Sequence, residues 1–308
     1  MKRPDTVVAI FGPTGIGKTA VAISLAERLR AEGEDPAAVS VDALQLYRGL
    51  EILTGAPHAA ERARLEHRLV GTLPLTATSS AGAFARAAHA EIDGLIAAGR
   101  RPIVVGGTGL YLRAALAELQ LRPPVDTAIR ERRLAQLEAQ GAPALHAELT
   151  RRAPATGAAI RPQDAQRVTR ALELLDAGQE PTPGTEASQL WTAELRHPTL
   201  LAGLTMDRKA LVRRIEARVD AMVAAGAEQE VRAADAAGAS PGARQALGFQ
   251  ALLDGDVSAM KAQTRRYAKR QLTWMRKLAG IATIDVTGRE PADVAAQLHE
   301  ALRARESA

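Results

Sequence analysis

Eight residues near the start of the chain carry the plainest chemistry. Gly12-Pro13-Thr14-Gly15-Ile16-Gly17-Lys18-Thr19 fits G-x-x-x-x-G-K-[ST], the spacing that wraps backbone N–H groups around a phosphate. The glycines let those N–H groups turn inward, and the helix that follows adds partial positive charge at its N-terminus. Lys18 is expected on the phosphates and Thr19 on a Mg²⁺ ion through its hydroxyl. An apolar run before the motif and a helical pattern after it favour this over a plain glycine-rich turn with a surface lysine. A phosphorylated ligand follows, as in the nucleotide-binding and ATP-binding proteins, but its identity does not. A hydrolysing enzyme of this class usually ends a neighbouring strand in an acid that holds Mg²⁺. Here Ile103-Val104-Val105 runs instead into Gly106-Gly107-Thr108-Gly109, and the apolar run reaching Asp285 reads as an edge strand. ATP hydrolysis is weakened accordingly, although small-molecule kinases can also lack that acid.

Three further features could serve a phosphate site. Asp42 ends a second apolar run on the sheet edge that carries the phosphate loop, where a carboxylate can take a proton from a nucleophile. It would equally cap a helix starting at Ala43, and both readings stay open. On a wheel from Leu211, Ile215, Val219 and Met222 cluster between about 20° and 80°, with Arg218 at about 340° and Arg214 at about 300°. Arg218 thus borders the packed stripe and could reach a phosphate or form a salt bridge at a buried edge. Residues 261–280 hold seven positive charges and no acid, more than the whole chain's net +5. Arg265, Arg266, Lys269, Arg270, Arg276 and Lys277 fall on one side of a helix, and Tyr267, Leu272, Trp274 and Met275 on the other. A single-sign stripe fits contact with a nucleic-acid backbone better than a solvated face, which usually mixes signs. Core packing suits Tyr267 and Trp274 better than base stacking. Gln166, Arg167 and Arg170 open another helix, with Arg152 and Arg161 upstream, and suggest a second nucleic-acid contact.

The elements that must position these groups alternate in type. Val7–Phe11 reads as a buried strand, Ala20–Arg30 as a helix, Pro36–Val41 as a strand, Phe84–Ala98 as a helix and Ile103–Val105 as a strand. That order implies a P-loop NTPase-like α/β fold, a parallel sheet covered by helices with ligands at the strands' carboxyl ends. From Thr127 to Ala177 only helical periodicity remains, followed by a loop at Gly178–Glu186. A strand returns at Leu200–Thr205, then helical stretches at Arg208–Ala237 and Val257–Ala279, then a strand at Thr283–Val286. The expected organisation is a core of 1–121 and 197–308 with an all-helical insertion domain at 122–196. With 308 residues, 46% hydrophobic, the chain can bury a sizeable core. It contains no cysteine, which excludes disulfides and thiolate metal sites and fits a reducing compartment. No apolar run reaches membrane-spanning length, and the start is too short for a signal peptide, so a cytoplasmic protein without a membrane partner is expected.

Taken together, these segments resemble the bacterial-type tRNA dimethylallyltransferases. The motifs are GPTGIGKT (12–19), SVDALQLYRGL (40–50), HRL (67–69), PIVVGGTGLYLRA (102–114), IRPQDAQRVTRALE (160–173), RIEARVDAM (214–222), ALGFQ (246–250) and YAKRQLTWMRK (267–277). The resemblance implies transfer of a dimethylallyl group from dimethylallyl diphosphate to the exocyclic amine of the adenosine 3′-adjacent to the anticodon, with release of pyrophosphate. It implies Asp42 as the base or acceptor for that amine, Arg218 as a helper at the diphosphate, Thr108 beside the reacting RNA, and Mg²⁺ as cofactor. A phosphate loop without a second acid suits a diphosphate that is bound and released whole. It further implies contact with a tRNA anticodon stem-loop through Asp42, Ala43, Leu44, Gln45, Thr108, Arg130, Gln166, Arg167, Val168, Thr169, Arg170, Arg244, Gly248, Lys269, Arg270, Gln271 and Arg276, by a monomer. The chain departs from the usual pattern at Gly15-Ile16 (usually Ala-Ser), at Leu53-Thr54-Gly55-Ala56-Pro57 (usually Gly-Thr-Ala-Lys-Pro), at Thr78-Ser79-Ser80 (no tyrosine) and at Ala165 (usually proline). Two other readings compete: a P-loop kinase, which leaves the basic helix idle, and a non-catalytic RNA-binding protein, against which Lys18, Thr19 and Asp42 argue.

Overall fold

Six short parallel strands define the fold of the computed structural model, which describes residues 5–119, 125–181, 190 and 192–307. They are β1 (Val7–Phe11), β2 (Pro36–Ser40), β3 (His67–Arg68), β4 (Arg101–Gly106), β5 (Thr199–Thr205) and β6 (Ala282–Asp285), in the order β3-β2-β4-β1-β5-β6. Every residue of β1 is buried, as its unbroken apolar run requires of a strand covered on both faces. The register aligns Phe11 with Gly106 and Ser40 with Val105. Three loops therefore leave the sheet side by side, starting at Gly12, Val41 and Gly107. The edge position expected for the last strand is observed, since β6 pairs with β5 alone.

Thirteen helices are described: α1 (Lys18–Ala31), α2 (Glu51–Thr54), α3 (Ala59–Arg64), α4 (Ala81–Ala97), α5 (Gly109–Leu116), α6 (Thr127–Arg152), α7 (Pro154–Ala159), α8 (Ala165–Asp176), α9 (Arg208–Ala224), α10 (Ala227–Ala236), α11 (Phe249–Leu253), α12 (Val257–Met275) and α13 (Pro291–Ser307). α1 and α13 cover one face, where Leu25, Leu29, Leu298 and Leu302 pack with Val8 and Ile103. Three expectations change. The stretch Arg208–Ala237 is two helices, because Gly226 turns with φ 100° before α10. α12 stops at Met275, so Arg276 and Lys277 lie in a turn. No helix follows Asp42; its carboxylate accepts the Leu44 N–H (3.0 Å) and caps a turn instead.

The chain divides into two compact units, 1–119 with 191–308 and 120–190. Residues 192–196, expected in the insertion, are fastened to the α/β unit. Arg196 grips Asp93 at 2.9 and 3.2 Å and Glu118 at 2.6 Å, while Arg113 donates to the Thr192 hydroxyl and the Glu194 carbonyl. The smaller unit packs α6 against α8 through Leu145, Leu149, Val168 and Leu172. Beside that small core, Arg133 is buried between Asp176 (2.6 Å) and Glu148 (2.9 Å). Of the loop expected at Gly178–Glu186, residues beyond Pro181 lie outside the described ones.

At the sheet's amino-terminal edge, Arg101 is 2% exposed and bonds Glu34, Glu306 and the Thr6 carbonyl. Burial alone would raise the Glu34 carboxyl, but hydrogen bonds from Arg101 and Arg303 outweigh it and hold it below the usual range. A carboxyl so depressed stabilises the fold above about pH 4.5, and that contribution is lost as the pH falls through its folded value. Arg101→Met leaves Glu34 and Glu306 without this cation and is expected to destabilise the protein by about 3–5 kcal/mol in urea unfolding at pH 7.

Candidate active site at the carboxyl ends of the strands

The three loops enclose a cleft of about 650 Å³ that lies wholly within the α/β unit. The phosphate loop forms one wall. Gly17 takes φ 101° directly before α1, a conformation that strains any side chain, and it sets the turn from which Lys18 projects. Lys18 Nζ donates to the carbonyls of Gly12 (2.9 Å) and Pro13 (3.0 Å). Burial and the charge of Arg218 pull its pKa down to about 8, against the raising influence of Asp42. Ile16 turns into the core at 2% exposure, so at this departure the cradle offers backbone alone.

Asp42 stands opposite. Burial raises its carboxyl, against the Leu44 N–H and the Lys18 charge. It is therefore a stronger base than a surface aspartate. The same loop holds Gln45, whose amide donates toward the Thr54 and Gly55 carbonyls (3.4 and 3.3 Å).

α9 supplies the third charge. Arg218 Nη2 donates to the Gly55 carbonyl at 3.4 Å, while its buried Nε has no protein partner. Burial lowers its pKa, but an arginine stays charged. A Cβ on Gly55 would lie 1.6 Å from Arg218 Nη2, so the glycine of the departing Leu53–Pro57 segment makes room for the guanidinium. One turn earlier, Arg214 donates to the Gly15 carbonyl at 3.0 Å. Its place beside Arg218 on the wheel was the available signal for this second arginine. Leu53, Val219, Met222, Leu247 and Met260 give the cleft an apolar side next to these charges.

Thr108 is held from outside its own loop. Its hydroxyl lies 2.8 Å from the Tyr267 hydroxyl, and burial pushes the Tyr267 phenol up to about 12. Arg270 sits 5.5 Å from the Tyr267 ring centroid. Tyr267, Arg270 and Gln271 all line the cleft, so Tyr267 belongs to the site as well as to the packing.

α12 presents Arg266, Lys269 and Arg270 to solvent, and Arg276 is exposed beyond its end. The stripe is shorter than expected, because Lys261 pairs with Asp220 (2.6 Å) and Arg265 with Glu216 (2.7 Å), both on α9. Four of the residues expected at RNA are buried in the structure. Gln271 is 4% exposed and spends both ends of its amide on backbone. Val168 and Thr169 are buried in the helical unit's own core. Gly248 is buried with φ 91° and has the Met260 side chain where a Cβ would stand, so packing accounts for it. Arg244 is exposed but ion-paired with Asp235 and set 5.5 Å from the Phe249 ring. In the helical unit Arg130, Gln166 and Arg167 are exposed, and Arg170 pairs with Glu173 at 3.1 Å.

Among the described residues no group of three or more acids and histidines could cage a metal. Thr19 and Asp42 both line the cleft, which suits a small hard cation that keeps water and takes its remaining oxygens from a phosphate. No helix among the described residues is long and apolar enough to cross a membrane.

Comparison with known proteins adds the following. The IPP transferase family model matches residues 45–278, and the isopentenyl transferase model matches residues 5–76. A tRNA dimethylallyltransferase of Thermobifida fusca is 40% identical over 284 residues, covering 89% of this chain and 88% of its own. The crystal structure of a tRNA isopentenylpyrophosphate transferase from Bacillus halodurans superposes with a TM-score of 0.70 at 31% identity, covering 98% of this chain and 96% of that one. A eukaryotic dimethylallyltransferase acting on tRNA also reaches 0.70, at 26% identity, over 92% of this chain and 74% of that one.

The lowered pKa of Lys18 has a measurable consequence for any phosphate ligand. The ammonium is present below about pH 8 and lost above it, so affinity must fall as the pH rises through that value. Pyrophosphate titrated calorimetrically is expected to bind about 10-fold more weakly at pH 9 than at pH 7, and Lys18→Met to flatten that decline.

Proposed function

The chain belongs to the tRNA dimethylallyltransferase family, and we propose that it moves a dimethylallyl group from dimethylallyl diphosphate to the exocyclic amine of the adenosine next to the anticodon on its 3′ side. The observation that carries this reading is the convergence of Lys18, Asp42 and Arg218 on one cleft. Two cations suit a diphosphate, and a carboxylate of raised pKa suits an amine that must lose a proton. The diphosphate lies against the phosphate loop, with Lys18 and Arg218 on its oxygens. Arg214 fixes the loop through the Gly15 carbonyl.

In the reaction the bond between the allylic carbon and the diphosphate oxygen breaks, and a bond from the adenosine nitrogen to that carbon forms. Charge grows on the leaving pyrophosphate, and cations held in place in the cleft lower the cost of that growth. The amine proton passes to the Asp42 carboxylate. Thr108, oriented by Tyr267, stands where the target base enters after leaving its stack. The apolar side of the cleft receives the prenyl chain. Mg²⁺ held by the Thr19 hydroxyl and the diphosphate would add further neutralisation of the leaving group. The anticodon stem-loop binds along Arg266, Lys269, Arg270 and Arg276, with Arg130, Gln166 and Arg167 of the helical unit as its second contact. The protein acts as a monomer, in the cytoplasm where tRNA is found.

Incubation with dimethylallyl diphosphate and unmodified tRNA tests the reading. Prenylated adenosine and pyrophosphate in equal amounts are expected. Nucleoside-triphosphate hydrolysis with no modified nucleoside would point to the kinase reading instead. Asp42→Ala is expected to lower kcat by about 10²–10⁴-fold while tRNA still binds, as in removal of a general base. Removing the charges of Lys269 and Arg270 together should lower the slope of log affinity for tRNA against log salt by about 1–2. An unchanged slope would return that face to ordinary solvent.

A further inference from the structure

One inward stripe of α12 is left unexplained by its basic outer face. Tyr267, Gln271 and Trp274 recur at i, i+4 and i+7, which places them one above the other on a helix. Each meets the loop that leaves β4. Tyr267 reaches Thr108, Gln271 reaches Gly107, and Trp274 lies flat over Gly109. A Cβ on Gly107 would come 2.2 Å from Gln271 Nε2, and one on Gly109 would come 2.1 Å from the Trp274 ring. The glycines of this run are thus the seats for two α12 side chains.

Gln271 also reaches the phosphate loop. Its Oε1 accepts the Thr14 N–H at 2.9 Å, and its Nε2 donates to the Gly107 carbonyl at 2.9 Å. One carboxamide therefore joins the loop after β1 to the loop after β4. It is almost wholly buried, while its neighbours Lys269 and Arg270 face solvent. The Thr14 N–H is aimed at the helix, which fixes the orientation of that peptide plane within the phosphate cradle.

We infer that Gln271 is a positioning residue that holds the phosphate loop and the Thr108 loop in a common register, setting diphosphate affinity without touching RNA. The inference rests on the prenyl-transfer reading only for what the diphosphate is. Gln271→Met keeps the length and removes both hydrogen bonds, leaving a buried N–H and a buried carbonyl unpaired. Gln271→Glu keeps the shape and restores both bonds only while its carboxyl is protonated, a form that burial favours.

The test uses the full chain with inorganic pyrophosphate as the probe and an anticodon stem-loop RNA in parallel. Gln271→Met is expected to weaken pyrophosphate binding about 10-fold or more, with RNA affinity within about two-fold of wild type. In the transfer assay KM for the donor rises while KM for tRNA does not. Gln271→Glu is expected to stay within about three-fold of wild type at pH 5.5 and to fall behind by about 10-fold at pH 7.5, each value taken relative to wild type at the same pH. Pyrophosphate affinity within two-fold of wild type in both variants and at both pH values would overturn the inference. A parallel loss of RNA affinity would overturn it too, by making Gln271 an RNA contact. Should Gln271→Met fail to melt cooperatively, the pH response of Gln271→Glu decides alone. A wild-type protein that forms no prenylated nucleoside would refute the proposed function, while the pyrophosphate titrations still decide the role of Gln271.

Discussion

Lys18, Asp42 and Arg218 are half-buried in one cleft, and an ion in such surroundings is costly unless others compensate it. Burial weakens the hold of the lysine and the arginine on their protons and strengthens that of the aspartate. The three come from different elements, so none can compensate another until the sheet sets their distances. That is why the register around β1 matters more than any single contact. Glu51 and Glu61 line the same cleft, and the Glu61 charge also acts on Arg218, whose Nε is buried without a protein partner.

The sequence made some of this legible and concealed the rest for physical reasons. Strong period signals and glycine punctuation revealed the strands β1, β2, β4 and β5 and the glycine-rich turn between β1 and α1 within a few residues. Asp42 was legible as a carboxylate at a strand end, yet its local turn was not, because the same residues can cap a helix or close an Asx turn. The wheel put Arg218 at the edge of the packed stripe, but only the fold shows Gly55 vacating space for it. Burial of Val168, Thr169, Gly248 and Gln271 could not be read from type alone, since Thr, Gly and Gln are common on surfaces. The ion pairs that shorten the basic stripe join α12 to α9 across some 45 residues of chain, beyond any periodicity argument.

Helix α12 shows how one element can serve two chemistries. Its outer face keeps like charges together at the cost of mutual repulsion, which α9 relieves at one end through Asp220 and Glu216. Its inner face is uncharged and fits glycines. A helix separates the two because successive residues turn by about 100°. A basic outer face and an uncharged, loop-facing inner one are thus built into 19 residues without either intruding on the other.

The strand order also dictates when the cleft can exist during synthesis. Val8 of β1 pairs with Ile103, and Val7 pairs with Thr199. β1 therefore waits for β4 and β5, while the intervening unit of 120–190 has, among the described residues, a core of its own. Arg218 and Gln271 arrive later still. Residues 12–19 are translated long before Arg218 and Gln271, their neighbours in the fold, so the cleft is complete only after residue 271 has been made.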